Sequence, residues 1–461
     1  MLSPEPGSHP DDVKVCRGPA IIERGNTVKK SGVLLVAGLA AAMVLAGCSA
    51  GSTPSEGVPQ EEGTPDSLTM LVTASPSADG LRALATEYES ETGVAIEFVE
   101  VPYEQLATRI ILASQSGEST FDMAQVDGFT LPQIVAANGL LSLDDYIADD
   151  ADYDYDDFPE GLKEYAKQDG VSYGLPLSTE PYLQWIRTDL YDELGLEAAV
   201  TWDDVYDNAD ALKEAGHYGA VGVYGASGSA HHFNAVLVGS GGRLLDPETY
   251  RPMLDTEVAA VALDRYIDLV EYGPSGTASA TIFDAVNSFS QLDVGQMTTL
   301  ASGWWSTINN PDESPNAGNY GTFPPAMQAA GDYDPAAVLY GWVAGISSAS
   351  PHQAAAWDFL AWALSKENAA AFIDAGAPPP ARISTTTNPE FLEQLPYLAA
   401  VGESVESGVP IDRIPEMSQI ITALSQTLNS IATGQMSREE GLAAAQDQLM
   451  NILVQSGRYK G

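Results

Sequence analysis

An open α/β architecture divided into two lobes is predicted by three features of this 461-residue sequence. β-prone runs alternate with stretches whose apolar residues recur at helical spacing. Their order, strand, helix, strand, helix, strand, implies parallel crossovers. The ~400 residues after an N-terminal leader exceed the size at which a single core stops growing.

The leader comes first in the chain. Lys29 and Lys30 precede an apolar run from Gly32 to Leu45, which closes on Leu45-Ala46-Gly47-Cys48. A basic start, a short apolar centre and small residues before a cut describe an export signal, too short to span a bilayer. The last four residues resemble the lipobox of bacterial lipoproteins. That resemblance implies cleavage before Cys48, a diacylglyceryl group on its thiol, and an acylated new N-terminus. Several acyl chains together hold a protein at a membrane where one holds it only marginally. A buried helix ending in a chance cysteine is the competing reading. Residues 29–47 are thus the expected signal peptide, and the protein is expected to work outside the membrane while tethered to it. Residues 1–28 place Pro4, Pro6, Pro10, Asp11 and Asp12 ahead of that signal. We expect translation to begin at Val28, which a GTG codon can encode.

Residues 48–66, rich in Gly, Ser, Thr, Pro and Glu, read as a flexible lipid-anchored linker. The chain is 44% hydrophobic, enough for a large core, and its formal net charge is −44. Such a surface repels nucleic acid and anionic lipid, so neither is an expected partner beyond the anchor itself. Cys16 and Cys48 are the only cysteines, so the domain after the anchor has no disulfide and no thiolate metal site. The acids from Asp144 to Asp157 lack the glycine and terminal glutamate of a calcium loop, and a solvated face is expected there.

Ser67–Thr73 is the first predicted strand and Leu81–Glu91 the first helix, with Leu81, Leu84, Ala85 and Tyr88 on one face. Val94–Val101 is the next strand, broken by Pro102, with a helix from Tyr103 to Ser114. Phe121–Val126 is the third strand. Thr201-Trp-Asp-Asp204 forms an expected capping box for a helix to Ala215, followed by a strand Gly219–Tyr224 and a helix Thr256–Tyr272. Ser350-Pro351-His-Gln353 is an expected N-cap for Ala354–Leu364, and Ser437-Arg-Glu-Glu440 for the last helix.

Several segments resemble one family. Glu89-Ser-Glu-Thr-Gly-Val-Ala-Ile-Glu-Phe98, Val101-Pro-Tyr-Glu-Gln-Leu106, Phe121-Asp-Met-Ala-Gln-Val-Asp127, Asn138-Gly-Leu-Leu-Ser-Leu-Asp144 and Gly170-Val-Ser-Tyr-Gly-Leu-Pro176 occur in the order found in extracellular solute-binding proteins of the maltose-binding type. The segment from Ile346 to Leu360 resembles a further element of that family. The similarity runs from about Leu68 to Val454. It implies a two-lobed, periplasmic-binding-protein-like fold (type II) with three hinge crossings, near 178–180, 319–323 and 377–380. Lobe 1 is then 67–179 plus 324–376, and lobe 2 is 180–323 plus 377–461. The resemblance also implies a monomer that catalyses nothing and needs no cofactor. It captures a carbohydrate between its lobes and delivers it to the transmembrane subunits of an ABC permease.

Sugars need aromatic faces for their C–H surfaces and planar polar groups for their hydroxyls. By resemblance, Trp304 or Trp305 of Gly303-Trp-Trp is the expected ring under the sugar, with core packing of both as the alternative. Trp342, in Tyr340-Gly-Trp342, is a second cleft candidate or a core residue. Asp127 stands where relatives place a hydroxyl-binding carboxylate, and the rule that ligands bind beyond strand carboxyl ends favours it independently. Glu180 matches an acidic position at the first crossing; solvated surface acids are the alternative for both. Arg382 resembles the family's arginine after the third crossing, with a hinge salt bridge as its alternative. His231, beside His232, occupies a segment that is acidic and aromatic in maltose binders, which argues against maltodextrin. Adjacent histidines do not share a helix face, so no metal site is expected. Tyr103 is a candidate for the rim. A receptor for another solute such as a polyamine is the nearer competing function. A secreted glycoside hydrolase is the remoter one, since it needs a carboxylate pair that no spacing singles out.

Overall fold

The computed structural model describes residues 63–117 and 119–459. The export signal, Cys48, most of the linker and the expected start at Val28 all lie outside these described residues.

Two sheets organise the chain. The first has five strands in the order Ala95–Glu100, Ser67–Val72, Met123–Asp127, Gly341–Ile346, Leu175–Thr179. Its first three strands run parallel, and Gly341–Ile346 lies antiparallel between its neighbours. The second has four strands in the order Tyr320–Phe323, Tyr182–Arg187, Val294–Ala301, Tyr218–Ala220. The expected parallel crossovers join the first three strands, each through a helix. Pro76–Thr92 begins earlier than the apolar spacing indicates, because Ser75 caps it and Pro76 fills the first turn. Tyr103–Ser116 follows Pro102 and ends at Gly117, where φ is +68°.

Strand alternation separates the packing around the second sheet. Leu183 and Trp185 face one apolar cluster with Phe289, Met297 and Tyr397, while Ile186 faces another with Leu190, Tyr191 and Leu212. The helix Ser229–Gly239 is buried along its whole length, its polar residues Ser229, His231, His232 and Asn234 included. Both sheets contribute to this fold of two α/β lobes, and the chain passes between them where the strand Leu175–Thr179 gives way to Tyr182–Arg187.

The second passage lies further along than residues 319–323. Tyr320–Phe323 pairs antiparallel with Tyr182–Arg187 and so belongs to the second sheet. The chain then stays with the second lobe: the amides of Met327, Gln328, Ala330 and Tyr333 donate to the carbonyls of Val200, Gly239, Ser240 and Gly241. The amide of Ala336 reaches Val238 in the same way. Backbone groups that would otherwise be unpaired fix the path, so the boundary moves from 323/324 to about 337/338. Around the third passage, Ala377 still packs near Gly80, whereas the helix Tyr397–Ser407 lies against the second sheet.

Two local expectations also change. The strand expected over Gly219–Tyr224 is confined to Tyr218–Ala220. Ser350 does not cap Gln353–Ala363; its hydroxyl donates to the buried Asp122 carboxylate at 2.6 Å instead. Several acids of the 144–157 stretch do structural work. Asp150 accepts from the Tyr153 amide and from Trp357 Nε1, Asp144 from the Ser172 amide, and Asp157 from the Ser384 amide. Asp152 and Asp156 remain exposed.

Candidate functional site between the two lobes

Asp127 is the last residue of the central strand of the first sheet, and only 3% of its surface is exposed. Two tyrosines from distant parts of the sequence converge on one of its oxygens. Tyr103 Oη, from the helix after the second strand, donates to Oδ2 at 2.6 Å. Tyr340 Oη, just before Gly341–Ile346, donates to the same atom at 3.1 Å. Gly341 is required by the close pairing of its strand with Leu175–Thr179, because a Cβ there would sit 2.3 Å from the Ser178 carbonyl oxygen. Burial pushes the Asp127 pKa up to about 7; the two tyrosyl hydrogen bonds pull it down, and nearby Glu180 pushes it up again. Oδ1 is buried and has no hydrogen-bond partner.

Beyond Asp127 lies a cavity of about 370 Å³. This is at the lower end of the range of roughly 300–1,000 Å³ usual for small-ligand sites. The first lobe lines it with Tyr103, Asp127, Phe129 and Gln133. The second lobe supplies the turn Ala226-Ser227-Gly228 and His231. One face of the helix Met417–Ala432, with Ser418, Thr422 and Ser425, completes the wall. Gln133 Nε2 donates to Ser418 Oγ at 3.0 Å across this space. The His231 ring lies 4.9 Å from that of Phe129, tilted by 52°. Burial lowers the His231 pKa to about 4, so its imidazole is neutral at physiological pH, and its Nδ1 is buried without a partner. His232 points elsewhere: its Nδ1 lies 2.6 Å from the Thr299 carbonyl oxygen and must carry the proton, since a carbonyl only accepts.

Of the residues expected at the site, Tyr103, Asp127 and His231 therefore line one cavity. Trp342 stands behind it, packed edge-on against Tyr103 and Tyr340 with ring centroids 6.0 and 6.1 Å away, and is 5% exposed. Glu180 is buried at the first passage between sheets. It accepts from Ser178 Oγ at 2.6 Å and Ser77 Oγ at 3.0 Å, which makes it a structural acid rather than a solvated one. A Cβ on Gly303 would come within 2.3 Å of its Oε2.

Trp304 and Trp305 do not line this cavity. Trp304 packs edge-on against Phe283, and Trp305 sits between Trp185 and Tyr397 with centroids at 5.8 and 5.2 Å. Arg382 is also set apart, and is 1% exposed. Its guanidinium donates to the carbonyls of Leu364, Asp154 and Tyr153 at 2.8, 3.0 and 2.9 Å. It also stacks over Phe158 and lies 3.6 Å from Asp157. These contacts spend its donors on the protein, where it clamps the 153–158 turns.

Sequence reasoning passed over Tyr340, Phe129, Gln133 and the polar face of Met417–Ala432. Tyr340 does carry a signal, the Tyr-Gly-Trp turn, in which the tryptophan is the more conspicuous aromatic residue. Among the described residues, no cluster of three or more His, Cys, Asp or Glu is arranged to hold a metal ion, and no helix is long and apolar enough to cross a membrane.

A cavity at the carboxyl end of a central strand, walled by two α/β lobes, defines the class of two-lobed solute receptors. Residues 74–370 match the model of the bacterial extracellular solute-binding protein family, and the chain belongs to that family. The mannitol-binding protein of Pseudomonas aeruginosa is 26% identical over 403 residues, covering 81% of this chain and 89% of its own. The erythritol/L-threitol-binding protein of Mycolicibacterium smegmatis is 22% identical over 331 residues, covering 67% of this chain and 69% of its own. Among solved structures, an ABC transporter solute-binding protein from Agrobacterium radiobacter in complex with ribitol superposes with a TM-score of 0.75. It is 24% identical and covers 84% of this chain and 98% of its own. A maltose-bound protein of T. maritima reaches the same TM-score at 22% identity, over 84% of this chain and 100% of its own. At these identities the structural likenesses establish the fold.

Proposed function

We propose that this extracellular solute-binding protein is the lipid-anchored receptor of an ABC importer, and that it captures a small sugar or polyol in the cavity between its lobes. The observation that carries the reading is Asp127: a buried carboxylate oriented by two tyrosyl hydroxyls, with its second oxygen unpartnered at the wall of a 370 Å³ cavity. Hydroxyl groups are the natural donors to such an oxygen. Two of the relatives are named for polyols, mannitol in one and erythritol and L-threitol in the other, which supports this ligand chemistry. Tyr103 and His231 are proposed as the adjoining contacts. The Trp304–Trp305 platform is set aside as the ligand floor. Cys48 is the proposed lipidation site, residues 29–47 the signal peptide, and the transmembrane permease subunits the partner that receives the solute from a monomeric receptor.

Thermal melts of the chain from residue 49 onward, against mono- and disaccharides, polyols and polyamines, test this reading. A ligand at 100 times its Kd adds about 2.7 kcal/mol of stability. A clear upward shift with a sugar or polyol is expected. A shift with polyamines alone would replace the assignment.

A further inference from the structure

Among the described residues, two buried polar atoms at the cavity wall have no hydrogen-bond partner, and they come from opposite lobes. Asp127 Oδ1 ends the central strand of the first sheet, and His231 Nδ1 lies in the helix that packs on the second. Their residues are 3% and 8% exposed, and both line the same space. Buried polar atoms are ordinarily satisfied, so an orphan on each wall marks where a bound molecule supplies the missing hydrogen bonds.

The charge of the walls narrows what that molecule can be. Among the described residues, no lysine or arginine lines the cavity, and Asp127 is the one carboxylate that does. An anionic solute would bring a second negative charge into a buried space without any cation, which repulsion and desolvation both oppose. A polyamine would leave its second ammonium facing only serine and threonine hydroxyls. A hydroxyl group both donates and accepts, so it satisfies Oδ1 and also Nδ1 in either imidazole tautomer. We propose that Asp127 and His231 are bridged by hydroxyls of one uncharged polyhydroxylated solute, and that the cavity excludes the carboxylate and phosphate forms of that solute class. The proposal rests on the sugar-or-polyol reading above and adds to it the bridging of the two orphan atoms and a rule of exclusion.

Titration calorimetry with matched probes tests it: ribitol with ribonate, D-mannitol with D-mannonate and mannitol phosphate, D-glucose with D-gluconate. At least one neutral probe should bind, and its anionic counterpart should bind roughly tenfold more weakly or worse. His231→Ala should weaken the neutral probe by a similar factor. His231→Gln, whose amide can donate and accept, should restore part of the loss. Asp127→Asn should narrow the gap between neutral and anionic probes. Melting curves of each variant confirm that it is folded. Equal affinity for a neutral probe and its anion overturns the exclusion. A neutral probe that binds wild type and His231→Ala alike overturns the bridge and leaves the sugar-or-polyol reading standing. Wild type that binds no probe of either kind overturns both.

Discussion

Burial holds the Asp127 pKa near 7, well above the 3.8 of a free aspartate, so its contribution to stability depends on pH. A carboxyl with a raised folded-state pKa favours folding most when protonated. That contribution is fully present below about 4 and is lost as pH rises through about 7. Asp127→Asn removes the charge while keeping an acceptor for Tyr103 and Tyr340. The variant should therefore melt higher than wild type at pH 8, with the difference shrinking steadily towards pH 5. A difference that does not change with pH would show that Asp127 is not the buried titrating group described. Arg382→Ala should act on stability alone. It leaves the carbonyls of Tyr153, Asp154 and Leu364 without their donor, a loss of roughly 3 kcal/mol or more by denaturant titration, with ligand affinity in the folded fraction unchanged. Reduced affinity at unchanged stability would return Arg382 to the site. These two residues show what the sequence makes legible at this scale. Asp127 was readable because a strand end and a family motif coincide on it. Arg382 is not readable in that way, because an arginine in an apolar loop serves equally well as a clamp, and only the fold reveals where its donors go.

Local rules predicted some helix starts and missed others. The capping boxes Thr201–Asp204 and Ser437–Glu440 are present as the spacing indicates, because both partners lie within one turn. Thr201→Ala should accordingly cost about 1 kcal/mol, measured by urea unfolding; an unchanged midpoint would show that the cap contributes nothing. Ser350 has the same local pattern, yet its hydroxyl is drawn to Asp122, a partner more than two hundred residues away that no local pattern contains. Close packing between elements is equally hidden. Gly80, in Pro76–Thr92, sits so near the Phe372 ring that a Cβ would lie 2.2 Å from it. Gly80→Ala should overpack this contact and cost roughly 1–3 kcal/mol, although alanine is the better helix former. Stability at or above wild type would mean that the ring yields freely. The cavity wall formed by Met417–Ala432 belongs with these cases, since its Ser and Thr residues look like an ordinary polar helix face until the helix is placed opposite Asp127.

Across the whole molecule, alternation of strands and helices together with length was sufficient for two α/β lobes. The passages between them were less exactly placed, because residues 327–336 follow the second lobe through backbone hydrogen bonds that leave no mark on composition. On the proposed reading the solute is enclosed by groups from both lobes, which touch through Gln133 and Ser418. A ligand held on both sides stabilises the closed arrangement only by interacting with it more strongly than with an open one. Small-angle scattering from the chain after residue 48, free and saturated with the sugar or polyol that raises its melting temperature, measures that difference most directly. A smaller radius of gyration in the bound state is the predicted result; identical scattering profiles at saturation would contradict capture between closing lobes.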